Sequence, residues 1–218
     1  MCCPLAPYDN HTLFVFASNG TLGYDGSVMK SAVFLDRDGT LNEDVGYLDR
    51  LERFSLFPWT LDAIRLLRRA GYAVVVVTNQ AGVARGMIDE GFVEEVYQLM
   101  QMRLAAIGEE LDGHYYCPHE LHAPVAAYRQ DCECRKPKPG MVLRAAEALG
   151  LDVSRSVVVG DKWSDIGLAR ASGAHGILVR TGYGRTQEAS PLSNLRADAV
   201  VDTLMDAASL IVRHGPRY

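Results

Sequence analysis

The chain predicts an α/β fold, a doubly wound parallel sheet of Rossmann-like type. Three observations point there. Strand and helix patterns alternate beyond residue 30, as βαβ units require. Ala73-Val74-Val75-Val76-Val77 is a continuous apolar run, the mark of a strand covered on both faces. Polar or acidic residues follow directly on several such runs, at the strand ends where open α/β sheets bind ligands.

The first strand spans about 32–35. A loop with Gly46 and Tyr47 leads to Phe57-Pro58 and a helix with Leu61, Ile64 and Leu67 on one face, ended by Gly71. The second strand is 73–77. Residues 89 to about 107 predict a helix with Phe92, Val96, Leu99 and Met100 as its inward stripe, core rather than a cofactor box. A short strand at 114–116 enters a cysteine-bearing loop. A helix at 141–149 closed by Gly150, a strand at 156–159, a helix at 164–171 closed by Gly173 and a strand at 176–179 follow. A strand at 199–201 and a helix at 204–212 complete the order, with no internal repeat or low-complexity tract.

Length and composition bound the rest. At 218 residues the chain holds one domain with a sizeable core. Its 48% hydrophobic and 22% charged residues are ordinary for a globular protein. No apolar run approaches the ~20 residues of a membrane span. The net charge of −5 gives no field that favours nucleic acid, so any phosphate site must be a local basic cluster. Residues 1–30 differ: they are rich in Gly, Asn, Ser and Tyr and lack a sustained period. Cys2-Cys3-Pro4 follows no basic segment, unlike a secretory signal. Two readings are open for this stretch, a dispensable extension ahead of a start at Met29 and a short hairpin around 13–16 and Tyr24.

Chemistry concentrates at four places. Asp36 and Asp38 end the first strand, ahead of Gly39. Strand alternation places both on one side, where two carboxylates repel unless a cation or shared proton separates them. That predicts a divalent metal and a carboxylate nucleophile; a solvated Asp-x-Asp-Gly turn is the bland alternative. Thr78-Asn79-Gln80-Ala81-Gly82 follows the second strand, where a hydroxyl and backbone N–H groups can hold a phosphoryl oxygen; an ordinary turn would carry the same letters. Asp161 ends the strand at 156–159 and can supply a further oxygen ligand to Mg²⁺. Asp165 either supports the site from behind or caps a helix. Arg135-Lys136-Pro137-Lys138-Pro139-Gly140 sets cations on a stiff segment before a helix, aimed at an anion, or else forms a solvated face.

Cys117-Pro118-His119 and Cys132-Glu133-Cys134 form two donor pairs across one loop, 117–134. Four such donors suit tetrahedral, structural Zn²⁺ with no open position. His122 is the stand-in for His119, and free buried cysteines are the alternative. Clustered cysteines in a reducing, cytoplasmic setting favour metal over disulfides. Since Cys134 precedes Arg135 and Lys136, the ion would lock the cationic segment against the site.

Together these motifs resemble the haloacid dehalogenase (HAD) superfamily of aspartyl phosphatases. Asp36-x-Asp38-Gly39-Thr40, Thr78-Asn79, Lys136 and Gly160-Asp161-x-x-x-Asp165 match its four motifs in order over about residues 31–212. Thr78-Asn79-Gln80-x-Gly82-x-x-Arg85-Gly86, the zinc loop, Cys134-Arg135-Lys136-Pro137-x-Pro139-Gly140-Met141 and Asp44-Val45-Gly46-Tyr47 are similar to the D-glycero-D-manno-heptose-1,7-bisphosphate 7-phosphatase family. Histidinol-phosphate phosphatases share the zinc loop but not the Ala84-Arg85-Gly86 ending, and rank second. Polynucleotide 3′-phosphatase and a non-catalytic zinc-binding module stand further off.

The resemblance implies a HAD-type domain over 31–214 without a cap domain, acting in nucleotide-activated heptose synthesis. It implies Asp36 as nucleophile, Asp38 as acid and base, and Thr78 and Lys136 on the phosphoryl oxygens. Mg²⁺ would be held by Asp36, the Asp38 backbone carbonyl and Asp161, and Zn²⁺ by Cys117, His119, Cys132 and Cys134. Substrate contacts are expected from Arg37, Asp44, Val45, Gly46, Tyr47, Asn79, Gln80, Ala81, Arg135 and Lys162. The expected partner is a small sugar phosphate, with no nucleic acid, no membrane and a monomeric chain.

Overall fold

Six strands form one sheet, every neighbouring pair of them parallel, in the order β3-β2-β1-β4-β5-β6. They are β1 (Ala32–Leu35), β2 (Ala73–Asn79), β3 (Gly113–Cys117), β4 (Val157–Gly160), β5 (His175–Val179) and β6 (Ala199–Val201). The computed structural model describes residues 29–215, so the readings made for the N-terminal segment lie outside the described residues. The helices are α1 (Thr60–Arg69), α2 (Ala81–Ala84), α3 (Glu90–Ala105), α4 (Gly140–Leu149), α5 (Trp163–Ser172), α6 (Gly184–Ala189) and α7 (Leu204–His214).

Alternation along the strands builds two cores. Val33 and Leu35 of β1, with Val74 and Val76 of β2, face Ile64 and Leu67 of α1, Val96 and Met100 of α3 and Ile211 of α7. Ala32, Phe34, Val75 and Val77 face the opposite layer, against Met141 and Val142 of α4 and Leu168 of α5. The cysteines of the zinc loop belong to this second layer, which ties the loop to the sheet.

Among the described residues the sheet starts with β1 at its centre, walks outward through β2 and β3, then returns to β4 on the other side of β1. The order reverses at β1, and the crevice over the carboxyl ends of such strands is the binding position in this architecture. Asp36, Thr78 and Asp161 lie there. No cap domain is inserted among the described residues: between β1 and α1 runs a loop with one short 3₁₀ turn.

Two local expectations need correction. The buried stripe of α3 is Val93, Val96, Tyr97, Met100 and Leu104, with Phe92 and Leu99 at its edge and only partly buried. Residues 81–84, expected as part of a turn, form the single helical turn α2.

Candidate active site

β1 stops at Leu35 and the chain turns at once, the Arg37 carbonyl accepting from the N–H groups of Thr40 and Leu41. Strand alternation therefore does not extend to Asp38, and the two acids take different partners. Asp36 accepts from Lys136 Nζ at 2.8 Å. Lys136 Nζ also reaches Asp165 Oδ1 at 2.6 Å and the Val77 carbonyl at 3.0 Å. Burial works against the Lys136 charge, but Asp165 and Asp36 prevail and hold its pKa above the ordinary lysine value. Lys136 is thus a fixed cation. Asn79 clamps its backbone, accepting from Lys136 N–H at 3.0 Å and donating to its carbonyl at 3.3 Å.

Asp36, Asp161 and Asp165 each present a carboxylate oxygen within 4.8 Å of the others, all buried. Asp161 Oδ2 accepts from Tyr183 N–H at 2.8 Å, whereas Asp161 Oδ1 is buried without a hydrogen-bond partner. Lys162 Nζ stands 3.9 Å from that oxygen. Burial and the charge of Asp36 push the Asp161 carboxyl up to about 8. An unpartnered oxygen among crowded carboxylates fits a small hard cation such as Mg²⁺. Asp165 brings a third carboxylate to Asp36 and Asp161, and the Asp38 side chain is not among the clustered donors. Any part for Asp38 in metal binding falls to its backbone carbonyl. Asp165 fills both roles left open for it: Oδ2 caps α5 by accepting from Lys162 N–H at 3.0 Å, and Oδ1 anchors Lys136.

Below pH 8, Asp161 holds a proton that a cation must displace. Mg²⁺ affinity should therefore rise with pH and level off above about 8. Calorimetry at pH 7 in buffers of different ionisation enthalpy should register proton release that fades by pH 9. Two glycines make room for this carboxylate. Gly39 and Gly182 have positive φ (87° and 53°), and a Cβ at either would collide with Asp161 Oδ2. Gly182→Ala should weaken Mg²⁺ binding by about tenfold or more, because one ligand is displaced; a Mg²⁺ titration of activity reads it directly.

Asp38 is gripped on three sides. Arg37 donates to it through Nε and Nη2, Asn42 Nδ2 donates at 3.0 Å and Gln80 Nε2 at 3.0 Å. Burial tends to raise the Asp38 carboxyl, but Arg37, Asn42 and Gln80 together hold it below the usual carboxylate value. Arg37, expected at the substrate, has a side chain 2% exposed that donates to Asp38 and Gln80 and does not line the cavity. Thr78 is buried, and its hydroxyl accepts from Gln80 Nε2 at 2.9 Å.

In front of these groups opens a cavity of about 460 Å³. Asp38, Asp44, Gly46 and Tyr47 line one part, and Asn79, Gln80 and Ala81 another. Arg135, Lys136 and Lys162 supply its positive charge. Lys162 Nζ pairs with Asp44 at 3.1 Å and sits 4.8 Å from the centre of the Tyr183 ring. Val45, between the lining residues Asp44 and Gly46, is half-buried and packs against the first core.

The second donor cluster lies beside this cavity. The Sγ atoms of Cys117, Cys132 and Cys134 are 3.3–3.4 Å apart, and His119 Nδ1 is 3.4 Å from Cys134 and 3.7 Å from Cys117. Tetrahedral zinc with Zn–S near 2.3 Å sets its ligands about 3.7 Å apart, so four buried donors fit that ion, and His119 rather than His122 is the nitrogen. Contact with Cys134, then burial, keeps the Cys117 thiol protonated without an ion, so zinc binding expels protons. Arg135 Nη1 donates to the His119 carbonyl at 2.8 Å, which joins the loop to the cationic wall.

Residues 133–207 match the family model described as HAD-hydrolase-like. The chain is 44% identical over 181 residues to the D-glycero-beta-D-manno-heptose-1,7-bisphosphate 7-phosphatase of Escherichia coli K12, covering 83% of this chain and 93% of that one. It is 42% identical over 185 residues to the Vibrio cholerae enzyme of the same name, covering 84% and 97%. The chain belongs to this HAD phosphatase family. The D,D-heptose 1,7-bisphosphate phosphatase of B. bronchiseptica, complexed with magnesium and phosphate, matches with a TM-score of 0.76 at 31% identity, covering 85% of this chain and 99% of that one.

In this HAD-family site, sequence reasoning missed several groups. Asn42 braces Asp38, and Leu48, Ile88, Ser164 and Tyr183 also line the cavity. Tyr183 could have been found, since Thr181-Gly182-Tyr183-Gly184 follows a strand end, the position that flagged the other motifs. Asn42 gave no signal, because only the turn after β1 brings it back to Asp38.

Proposed function

We propose that this chain is a Mg²⁺-dependent phosphatase that removes the 7-phosphate of D-glycero-D-manno-heptose 1,7-bisphosphate through an aspartyl-phosphate on Asp36, in nucleotide-activated heptose synthesis. The observation that carries the reading is the strand-end cluster of Asp36, Asp161 and Lys136 beside a zinc-type loop, in a chain 44% identical to such phosphatases.

Each residue's part follows from its surroundings. Lys136 and a cation held by Asp36, Asp161 and the Asp38 carbonyl would draw the phosphoryl group toward Asp36. Bound Mg²⁺ supplies positive charge to the phosphoryl oxygens as they pass between acceptor and donor. The Asp36 oxygen bonds to phosphorus as the bond to the sugar oxygen breaks, and Asp38 gives that oxygen a proton. Asp38 then takes a proton from the water that hydrolyses the aspartyl-phosphate. Its low pKa suits the second task, and the protonated form used in the first is the minor one at neutral pH. Thr78 and the N–H groups after β2 cradle the phosphate. Arg135, Lys162, Asp44 and Tyr47 meet the sugar and the remaining phosphate.

No helix among the described residues is long and apolar enough to cross a membrane. The reading places the domain at 31–214, acting as a monomer in the cytoplasm on a small molecule. Comparing kcat/KM for heptose 1,7-bisphosphate and histidinol phosphate with Mg²⁺ present tests it: the bisphosphate should be preferred by orders of magnitude, and preference for histidinol phosphate would overturn the assignment.

A further inference from the structure

We infer that Arg85 is a positioning residue for substrate selection: anchored by Glu120 of the zinc loop, it holds the Tyr47 ring at the wall of the cavity. The inference rests on the sugar phosphate reading above and deepens it. Arg85 follows α2 directly and is not among the residues lining the cavity, so it acts through a neighbour. Its guanidinium lies 5.2 Å from the centre of the Tyr47 ring, in cation–π contact, and Tyr47 lines the cavity.

The other edge of Arg85 is fixed. Nε and Nη2 donate to the two Glu120 oxygens at 2.8 and 2.7 Å, a bidentate fork that lysine cannot reproduce. The zinc loop touches α2 a second time, Val125 N–H donating to the Ala84 carbonyl at 3.2 Å. The same loop holds Arg135, another residue lining the cavity, through the His119 carbonyl. The backbone of the 44–47 loop is secured separately, by Arg53 donating to the Val45 and Tyr47 carbonyls. What Arg53 does not fix is the ring, and Arg85 does. Gly82 adds the last contact: a Cβ there would meet the Ile88 and Tyr47 side chains, so α2 packs directly under the tyrosine.

A partly exposed ion pair alone contributes little to stability. The ring contact gives this one a consequence for binding, worth about three- to tenfold in affinity if cation–π strength passes to the bound substrate. Arg85→Ala and Arg85→Lys should therefore raise KM for the preferred sugar phosphate by about three- to tenfold while kcat stays within about twofold. Glu120→Gln should act in the same direction. Hydrolysis of p-nitrophenyl phosphate, which has no sugar to meet Tyr47, should not change, nor should zinc content. In a Tyr47→Ala background, Arg85→Ala should add nothing further. An unchanged KM, equal losses on both substrates or full additivity with Tyr47→Ala would each overturn the inference. Wild-type preference among sugar phosphates is measured first, so failure of the functional reading is seen separately.

Discussion

Asp36→Asn should lower turnover by on the order of 10⁴-fold or more while leaving the fold intact. Asparagine keeps the shape, and its carbonyl oxygen still accepts from Lys136 Nζ, but it cannot form the bond to phosphorus. It also removes one of three buried carboxylates crowded within 4.8 Å. Without Mg²⁺, the variant should melt no lower than the wild type, since it removes the Asp36 charge that keeps Asp161 from ionising in the empty site and leaves Lys136 paired with Asp165. With Mg²⁺ the order should reverse, because the wild type gains more from the ion. Thermal melts with and without Mg²⁺, together with single-turnover assays, check both halves. A variant that keeps substantial turnover would rule out Asp36 as nucleophile.

Loss of zinc is the second large effect. Cys132→Ser, or removal of the ion by a strong chelator, should lower Tm by on the order of 10 °C, equivalent to several kcal/mol for a domain of this size. The three cysteines lie in the core layer under α4 and α5, so an ion-free loop leaves buried thiols 3.3–3.4 Å apart with nothing to organise them. Activity should fall as well, because Arg135 is bonded to the His119 carbonyl and Lys136 follows it. Metal analysis should find about one zinc per chain. Zinc-free protein with an unchanged Tm would show the cysteines to be ordinary core.

Much of this was legible in the sequence because the strands are simple. β1 is Ala-Val-Phe-Leu, β2 and β4 open on runs of Ala and Val, and Asp36 and Asp161 follow β1 and β4 directly. The zinc donors were legible because each pair is two residues apart and the pairs share one loop. Elsewhere the signal was too short or too symmetric. α2 and α6 span four and six residues, less than a readable helical period. α3 carries apolar residues around much of its circumference, so periodicity alone did not separate Val93 and Tyr97 from Phe92 and Leu99. Nothing in Asp-Arg-Asp tells which way the chain turns beyond Leu35, so the position of the Arg37 side chain was not legible. The turn buries it against Asp38.

The central claim is a covalent phosphoryl group on Asp36. Acid quenching during a single turnover with Mg²⁺ and heptose 1,7-bisphosphate, followed by peptide mass spectrometry, examines it most directly. The account predicts one added phosphate on the peptide containing Asp36, absent from Asp36→Asn. Phosphate on another residue, or turnover with no phosphorylated peptide at any quench time, would contradict it.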